Sequence, residues 1–359
     1  MKILEKTLNS IEPLSDEAMK IAWNRIDNLT KPIGSLGRLE EIAAKIAGIT
    51  GKVFPVIKNK NIIIMCSDNG VVEENVTNNS QKITQIVTNN FTKDITGVSA
   101  LCKFTGSTMT VVDIGVNYDF SNSLIINRKI SYGTKNIVKG PAMDREQAIK
   151  AIEIGIEIVD KLAKEGVDIL GTGEMGVGNT TTSAAVLSVL CSLSPEISCG
   201  RGSGITDAQL KCKIEAIEKA IKVNNPNKND VIDVLSKVGG YDIAGLCGCF
   251  LGASKNRIPI VIDGFIASSA ALCAYKLNPL CKDYMFASHL SAEPAAIHML
   301  KEINLKPLLN LNMRLGEGSG CPLAFNIIEA AIFTMENMGT FETAKLDKRE
   351  YIDIRKDTN

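Results

Sequence analysis

A parallel α/β sheet of about six strands in three layers, with a smaller helical part from both termini, is the fold class these 359 residues predict. Three observations carry it. Short apolar runs rich in Ile and Val recur along the chain, and each ends in polar or glycine residues. Long stretches of helical periodicity separate them, and apolar strands alternating with helices indicate a sheet covered on both faces. Between Val167 and Ala185 an apolar run meets Gly171, Gly173, Gly176 and Gly178, then passes into Asn-Thr-Thr-Thr and a small-residue helix.

Taken in order, residues 1–50 show helical periodicity with one break, Thr30-Lys-Pro-Ile-Gly-Ser-Leu-Gly37. The strand runs are Ile62–Cys66, Met109–Ile114, Val167–Leu170, Ile258–Ile262 and Tyr284–Ala287, with Leu308–Leu311 a weaker sixth. Asp144–Lys164 and Asp207–Val223 are the clearest helices between them, and 322–342 is a last one. This divides the chain into a helical segment 1–58, a sheet domain 59–320 and a second helical segment 321–359.

Lys plus Arg equals Asp plus Glu at 40 each, so the zero formal charge indicates no general attraction to nucleic acid or to an anionic membrane. No apolar run reaches the roughly 18 residues of a membrane span. The charged start, MKILEKTLNSIEPLSDEAM, does not read as a signal peptide. Ten cysteines are present without a C-x-x-C pair. Cys247-Gly-Cys249 offers a metal reading, but with only His289 and His298 to join it, buried reduced thiols in a cytoplasmic protein are the stronger reading. No cofactor is expected.

In open parallel sheets ligands bind beyond the carboxyl ends of the strands. Those ends carry Asp68, Asp113, Glu174, Asp263-Gly264, Ser288 to Glu293 and Arg314 to Gly320. Any one acid there can be a helix cap. Together Asp68, Glu174, Asp263, Glu293 and Glu317 describe an acidic site, suited to a general base, to a developing ribosyl cation, or in second place to Mg²⁺.

The strand–glycine–helix join at Gly171–Thr181 is a natural phosphate site, because backbone N–H groups and a helix dipole meet there. Arg201, in a second glycine loop, and Lys211 and Lys213 after it are the available cations; on spacing alone the two lysines read as solvated. Gly171-x-Gly173-x-x-Gly176 also matches a dinucleotide-binding pattern, which keeps an NAD-dependent dehydrogenase open. Glu174 would then face pyrophosphate, and no strand ending in an acid lies about 20 residues on. A non-catalytic nucleotide-binding protein is a further alternative.

Seven pieces then carry a resemblance: Thr30 to Glu40, Asp68-Asn-Gly-Val71, Gly173-Glu-Met-Gly-Val-Gly-Asn-Thr-Thr181, Gly200-Arg-Gly-Ser-Gly204, Asp263-Gly-Phe265, Ser288-His-Leu-Ser-Ala-Glu293 and Arg314-Leu-Gly-Glu-Gly-Ser-Gly320. In this order they resemble the nicotinate-nucleotide:dimethylbenzimidazole phosphoribosyltransferase family. The resemblance implies a Rossmann-like sheet domain, a small helical domain from both termini, and a homodimer. It implies nicotinate mononucleotide and a benzimidazole-type base as substrates. Glu317 would be the general base, with Glu174 and Asp263 in the site. Gly176, Gly178, Asn179, Gly202, Lys213, Gly264 and Ser291 would hold phosphate and ribose, which reverses the solvated reading of Lys213. Ser80, Gln85, Met175 and Leu315 would meet the base. The segment 75–91 does not clearly carry the pattern expected of benzimidazole users.

Overall fold

The computed structural model describes residues 3–357. Six strands form one sheet: β1 (Lys60–Ser67), β2 (Thr108–Gly115), β3 (Ile125–Asn127), β4 (Ile169–Met175), β5 (Ile260–Ile262) and β6 (Met285–Ala287). Their order is β3-β2-β1-β4-β5-β6 and every pairing is parallel. The chain steps outward one way from β1 and the other way from β4, so the direction reverses between them, and a crevice opens at the carboxyl ends of that central pair. At the end of β1 the register with β2 shifts between Cys66 and Ser67, a bulge that turns Asp68 and Asn69 out of the ladder.

The sixth strand is a correction. Leu308–Leu311 makes only an isolated bridge, Leu309 to His289. Pro307 supplies no N–H just before it, and the run is too short to build a ladder. The strand that completes the sheet, β3, is three residues long, and its apolar run Leu124–Ile126 is too short between polar neighbours to stand out in the sequence.

Both long helices form where expected, at Arg145–Lys164 and Asp207–Asn224. Each starts at a reciprocal cap, Asp144 with Gln147 and Thr206 with Gln209. Helix Arg145–Lys164 packs on helix Tyr241–Lys255, which lies under β1 and β4. The contact is backbone to backbone: a Cβ on Gly155 would stand 1.9 Å from the Gly245 carbonyl oxygen, and one on Gly248 equally close to that of Ile152. Glycine therefore sets how near the buried helix comes to its neighbour, and this fixes the height of its first turn beneath the crevice.

The N-terminal fifty residues hold three helices, Ile3–Ser10, Asp16–Asp27 and Arg38–Thr50, with a first break at Pro13 that the single predicted break omitted. The predicted helix over 322–342 is Gly320–Asn337 followed by the short Phe341–Ala344, since Pro322 is tolerated in the first turn and Met338–Thr340 leaves the helix. The two ends of the chain meet. The Arg25 guanidinium donates to the carbonyls of Met335, Glu336 and Met338, and the Thr30 N–H donates to Gly339 at 2.9 Å. Within the motif Thr30–Glu40, Lys31 and Glu40 form a buried ion pair at 2.7 Å, which ties that loop together away from the crevice. No helix among the described residues is long and apolar enough to cross a membrane.

Candidate active site

The loops after the strands enclose one cleft of about 260 Å³. Its floor is the turn after β4. Gly176 must be glycine there, since a Cβ would lie 2.4 Å from the Ser67 carbonyl oxygen. Gly178 takes a left-handed φ of 92° and starts helix Asn179–Cys191, whose positive end opens on the cleft. On the far side the second glycine loop brings Arg201, Gly202 and Ser203 to the wall. Lys213 reaches in beneath them from helix Asp207–Asn224. It is fully buried, and its ammonium donates to Thr180 Oγ1 at 2.8 Å and to the Gly200 carbonyl at 3.0 Å. Burial lowers its pKa, opposed by Cys199 and Glu293. Lys211 by contrast is exposed and pairs with Glu215 on its own helix. Arg201 lines the wall but is committed to Asp207 and the Ile205 carbonyl.

Two carboxyls also line the cleft. Glu317 sits in the loop that leads into helix Gly320–Asn337, with a left-handed φ of 64°, a strained setting for a residue with a side chain. Its carboxylate accepts from the Val98 N–H at 3.1 Å, in the first turn of helix Gly97–Thr105. Burial raises its pKa, and the amides of Val98 and Gly97 hold it back. Glu174, the penultimate residue of β4, is buried and pushed up to about 8, first by burial and then by the charges of Asp242 and Asp263. The Asn179 amide donates to it and so opposes the rise.

Asp263 takes a different place from the other two. Its side chain does not line the cleft; its two oxygens accept from Gly318 N at 3.0 Å and Gly320 N at 2.7 Å. It thus grips the Glu317 loop from below, and burial pushes it up to about 7. Gly264, beside it, does line the cleft, as do Ser291, Glu293 and His289. Burial lowers the His289 pKa, and its Nδ1 meets Ser288 Oγ at 2.9 Å. Asp113 lies apart, paired with Lys129 at 2.7 Å. Asp68 is buried under the crevice and accepts from the Asn117 N–H.

The apolar wall is where the sequence reading went astray. Met175 and Leu315 line the cleft, but Ser80 and Gln85 do not. Helix Lys82–Phe91 turns Ile83 and Val87, four residues apart, to the cavity, with Val76 and Thr77 before them. Ser80 precedes the helix and is exposed, and Gln85 falls on another face. Three further residues were missed: Gly97 and Val98, whose amides meet Glu317, and Asp242, a lone acid in an apolar helix. Among the described residues no group of three or more His, Cys, Asp or Glu is placed to hold a metal ion.

A parallel sheet with a switch-point cleft lined by helix amides, a buried lysine and carboxyls is the setting of a nucleotide-handling transferase. The chain belongs to the phosphoribosyltransferase family whose model matches residues 11–346. A relative from Clostridium tetani (strain Massachusetts / E88), named nicotinate-nucleotide–dimethylbenzimidazole phosphoribosyltransferase, is 56% identical over 99% of this chain and 98% of its own. One from Clostridium acetobutylicum with the same name is 53% identical over 96% and 98%. The crystal structure of CobT from Thermus thermophilus superposes with a TM-score of 0.89 at 34% identity, over 92% of this chain and 99% of that one.

Proposed function

We propose that the protein transfers the 5-phosphoribosyl group of nicotinate mononucleotide to 5,6-dimethylbenzimidazole or a related base, giving an α-riboside 5′-phosphate and nicotinate for the cobalamin lower ligand. One observation carries this reading. A single cleft brings anion-binding groups, Gly176–Thr180, Gly202 and Lys213, together with the carboxyls of Glu174 and Glu317 and the apolar side chains of Ile83, Val87, Met175 and Leu315. A dinucleotide enzyme has no use for a carboxyl at the head of its glycine turn, and a simple binder has no use for a buried acid and a half-buried one in the same cleft.

In this reading the phosphate rests on the helix start and Lys213, with Gly264 and Ser291 beside it and the ribose. The incoming base lies against Ile83, Val87, Met175 and Leu315. Its ring nitrogen attacks C1′ from the face opposite the pyridinium. The C1′–N bond breaks, and its electron pair returns to nicotinate, which leaves as a neutral pyridine base and needs no acid. Positive charge gathers on the ribose, and Glu317 together with the ionised form of Glu174 offsets it. The second imidazole nitrogen loses its proton to Glu317, which burial makes a stronger base than an exposed carboxylate. Asp263 supports that base by holding Gly318 and Gly320.

We also infer a cytoplasmic homodimer. Helices Gly97–Thr105 and Gly320–Asn337 pack together and leave Phe104 and Phe333 each more than three-fifths exposed, which favours a covering partner. All ten cysteines are free.

The test is incubation with nicotinate mononucleotide and a panel of bases, read by mass spectrometry. A riboside phosphate with release of nicotinate is expected. Glu317→Gln should still bind the mononucleotide and lose about 10²–10⁴ in turnover. Wild-type turnover in that variant, or no product from any base, overturns the reading.

A further inference from the structure

Asp242 belongs to none of the motifs, and no step above uses it. It is fully buried in the first turn of helix Tyr241–Lys255, beneath the switch point between β1 and β4. The Asn179 amide donates to Asp242 Oδ2 at 3.0 Å and also to Glu174 Oε2. An amide NH₂ has two hydrogens, and both are committed between these two acids. The other oxygen of Asp242 accepts from the Ile243 N–H at 3.0 Å, so the carboxylate is held at both ends. An ionised Asp242 cannot donate. It therefore obliges the amide to turn its nitrogen inward, and Glu174 then meets a donor, never the amide oxygen.

The charged surroundings make a purely structural role a poor account. Glu174 faces this patch from β4, Asp263 from the end of β5 and Asp68 from the end of β1. Glu317 approaches from its loop over β4, and its carbonyl passes Gly173. Lys129, which bears on Asp68, is spent on Asp113 and two carbonyls. Among the described residues no ion pair joins any of Asp68, Glu174, Asp242 or Asp263 to a base. A buried carboxylate among like charges costs stability, and the fold alone does not call for it.

We propose that Asp242 is a positioning residue for the transfer reaction: through the Asn179 amide it fixes the Glu174 carboxyl at the cleft wall, and its charge sets how Glu174 titrates. This rests on the reading that Glu174 faces the reacting sugar. Burial pushes Asp242 up to about 6 and Glu174 up to about 8, with each held back by the shared amide. Between those values Asp242 is ionised while the proton stays on Glu174. Removing the charge of Asp242 removes one of the causes that raise Glu174, so Glu174 ionises at lower pH.

The experiment measures kcat, KM for nicotinate mononucleotide and the pH–rate profile with dimethylbenzimidazole in the full-length wild type and in Asp242→Asn, Glu174→Gln and the double variant, each checked by thermal unfolding. Glu174→Gln identifies the limb that belongs to Glu174. Asp242→Asn should lower kcat about tenfold or more, leave KM within about twofold and move that limb to lower pH. On the Glu174→Gln background the same substitution should have no further effect on kcat. Should Asp242→Asn fail to fold, Asn179→Ala tests the bridge from the middle. It removes the donor that favours ionised Glu174, so the limb should move the opposite way, to higher pH. No product from wild type overturns the assigned reaction and this role with it. An active wild type whose Asp242→Asn or Asn179→Ala variant keeps kcat and limb unchanged, or an equal kcat loss in both backgrounds, overturns the positioning role alone.

Discussion

Gly173 and Glu317 touch backbone to backbone: a Cβ on Gly173 would stand 2.4 Å from the Glu317 carbonyl oxygen. The glycine in β4 therefore sets how deeply the base-bearing loop sits over the sheet. The same loop is pinned by Asp263 below and by Val98 at the carboxylate. Gly173→Ala must push the loop outward, since both colliding atoms are backbone. Overpacking of this kind costs about 1–3 kcal/mol, and a shift of about 1 Å in a reacting group costs roughly 10²-fold in rate. Turnover should thus fall by about two orders of magnitude while the melting temperature drops only modestly. A Gly173→Ala enzyme with normal kcat would show that the loop has room the contact denies.

Lys213 divides binding from chemistry. It is buried against Thr180 and the Gly200 carbonyl, and it makes no hydrogen bond or ion pair with Glu174 or Glu317. A charge-assisted hydrogen bond contributes about 1.5–3 kcal/mol, and about 1.4 kcal/mol is tenfold. Lys213→Ala should raise KM for nicotinate mononucleotide about 10- to 100-fold with a smaller change in kcat. Lys213→Arg should not restore it, because a planar guanidinium does not fit a slot made for one ammonium. Steady-state kinetics on the two variants decide this, and an unchanged KM in Lys213→Ala removes the lysine from the phosphate site.

How much of this was legible in the sequence depended on length and on motif density. β4 and its glycine turn stand out because the apolar run Val167–Leu170 leads into four closely spaced glycines, of which Gly171 and Gly173 lie in the strand and Gly176 and Gly178 in the turn. Glu317, Glu174 and Lys213 were located by the motifs around them. Lys213 by spacing alone looked solvated, since a lysine on a helix gives no sign that a second glycine loop will bury it. β3 escaped because its apolar run stops at Leu124–Ile126 between polar neighbours, whereas the equally short β5 and β6 lie within the longer apolar runs Ile258–Ile262 and Tyr284–Ala287. Asp242 escaped because one acid in the first turn of an apolar helix reads as dipole complementarity. Gly239 and Gly240 just before it were the available signal, since they let the chain enter a crowded floor. Ser80 and Gln85 were chosen through the resemblance, and it is Ile83 and Val87 of the helix starting at Lys82 that line the cleft, because the four-residue spacing puts both on one face.

Three buried carboxyls set a pH dependence of stability. In the fold Glu174 rises from 4.5 to about 8, Asp263 from 3.8 to about 7 and Asp242 from 3.8 to about 6, burial being the first cause for each. Because the folded values lie above the unfolded ones, the native state holds more protons through this window, and unfolding becomes easier as pH rises. The stabilisation is complete below about pH 4 for these groups and is lost on passing through each folded value. The ligand-free protein should therefore melt at progressively lower temperature from pH 5 to pH 8. Glu174→Gln should flatten the upper part of that slope, where Glu174 alone is still titrating. Calorimetry across the range reads both, and a melting temperature that climbs toward pH 8 contradicts the burial of these acids as charged-state penalties.

Ile83 and Val87 set which base is accepted. They face the cleft one helical turn apart, beside Met175 and Leu315, and present carbon where a hydrogen-bonding wall would suit a purine. The two ring methyls of dimethylbenzimidazole are the part of a base that gains from such a wall. Ile83→Ala removes about three carbons at roughly 0.8 kcal/mol each, so KM for dimethylbenzimidazole should rise about 50-fold. Adenine, which brings no methyl to that wall, should lose several-fold less, and the preference between the two bases should narrow. Ser80→Ala and Gln85→Ala, both outside the cleft lining, should leave the ratio near that of the unmodified enzyme. Competition between the two bases in one reaction, read by mass spectrometry, measures the ratio directly. An Ile83→Ala enzyme that loses both bases equally, or a Ser80→Ala enzyme that alone shifts the ratio, would move the specificity wall away from the helix face described above.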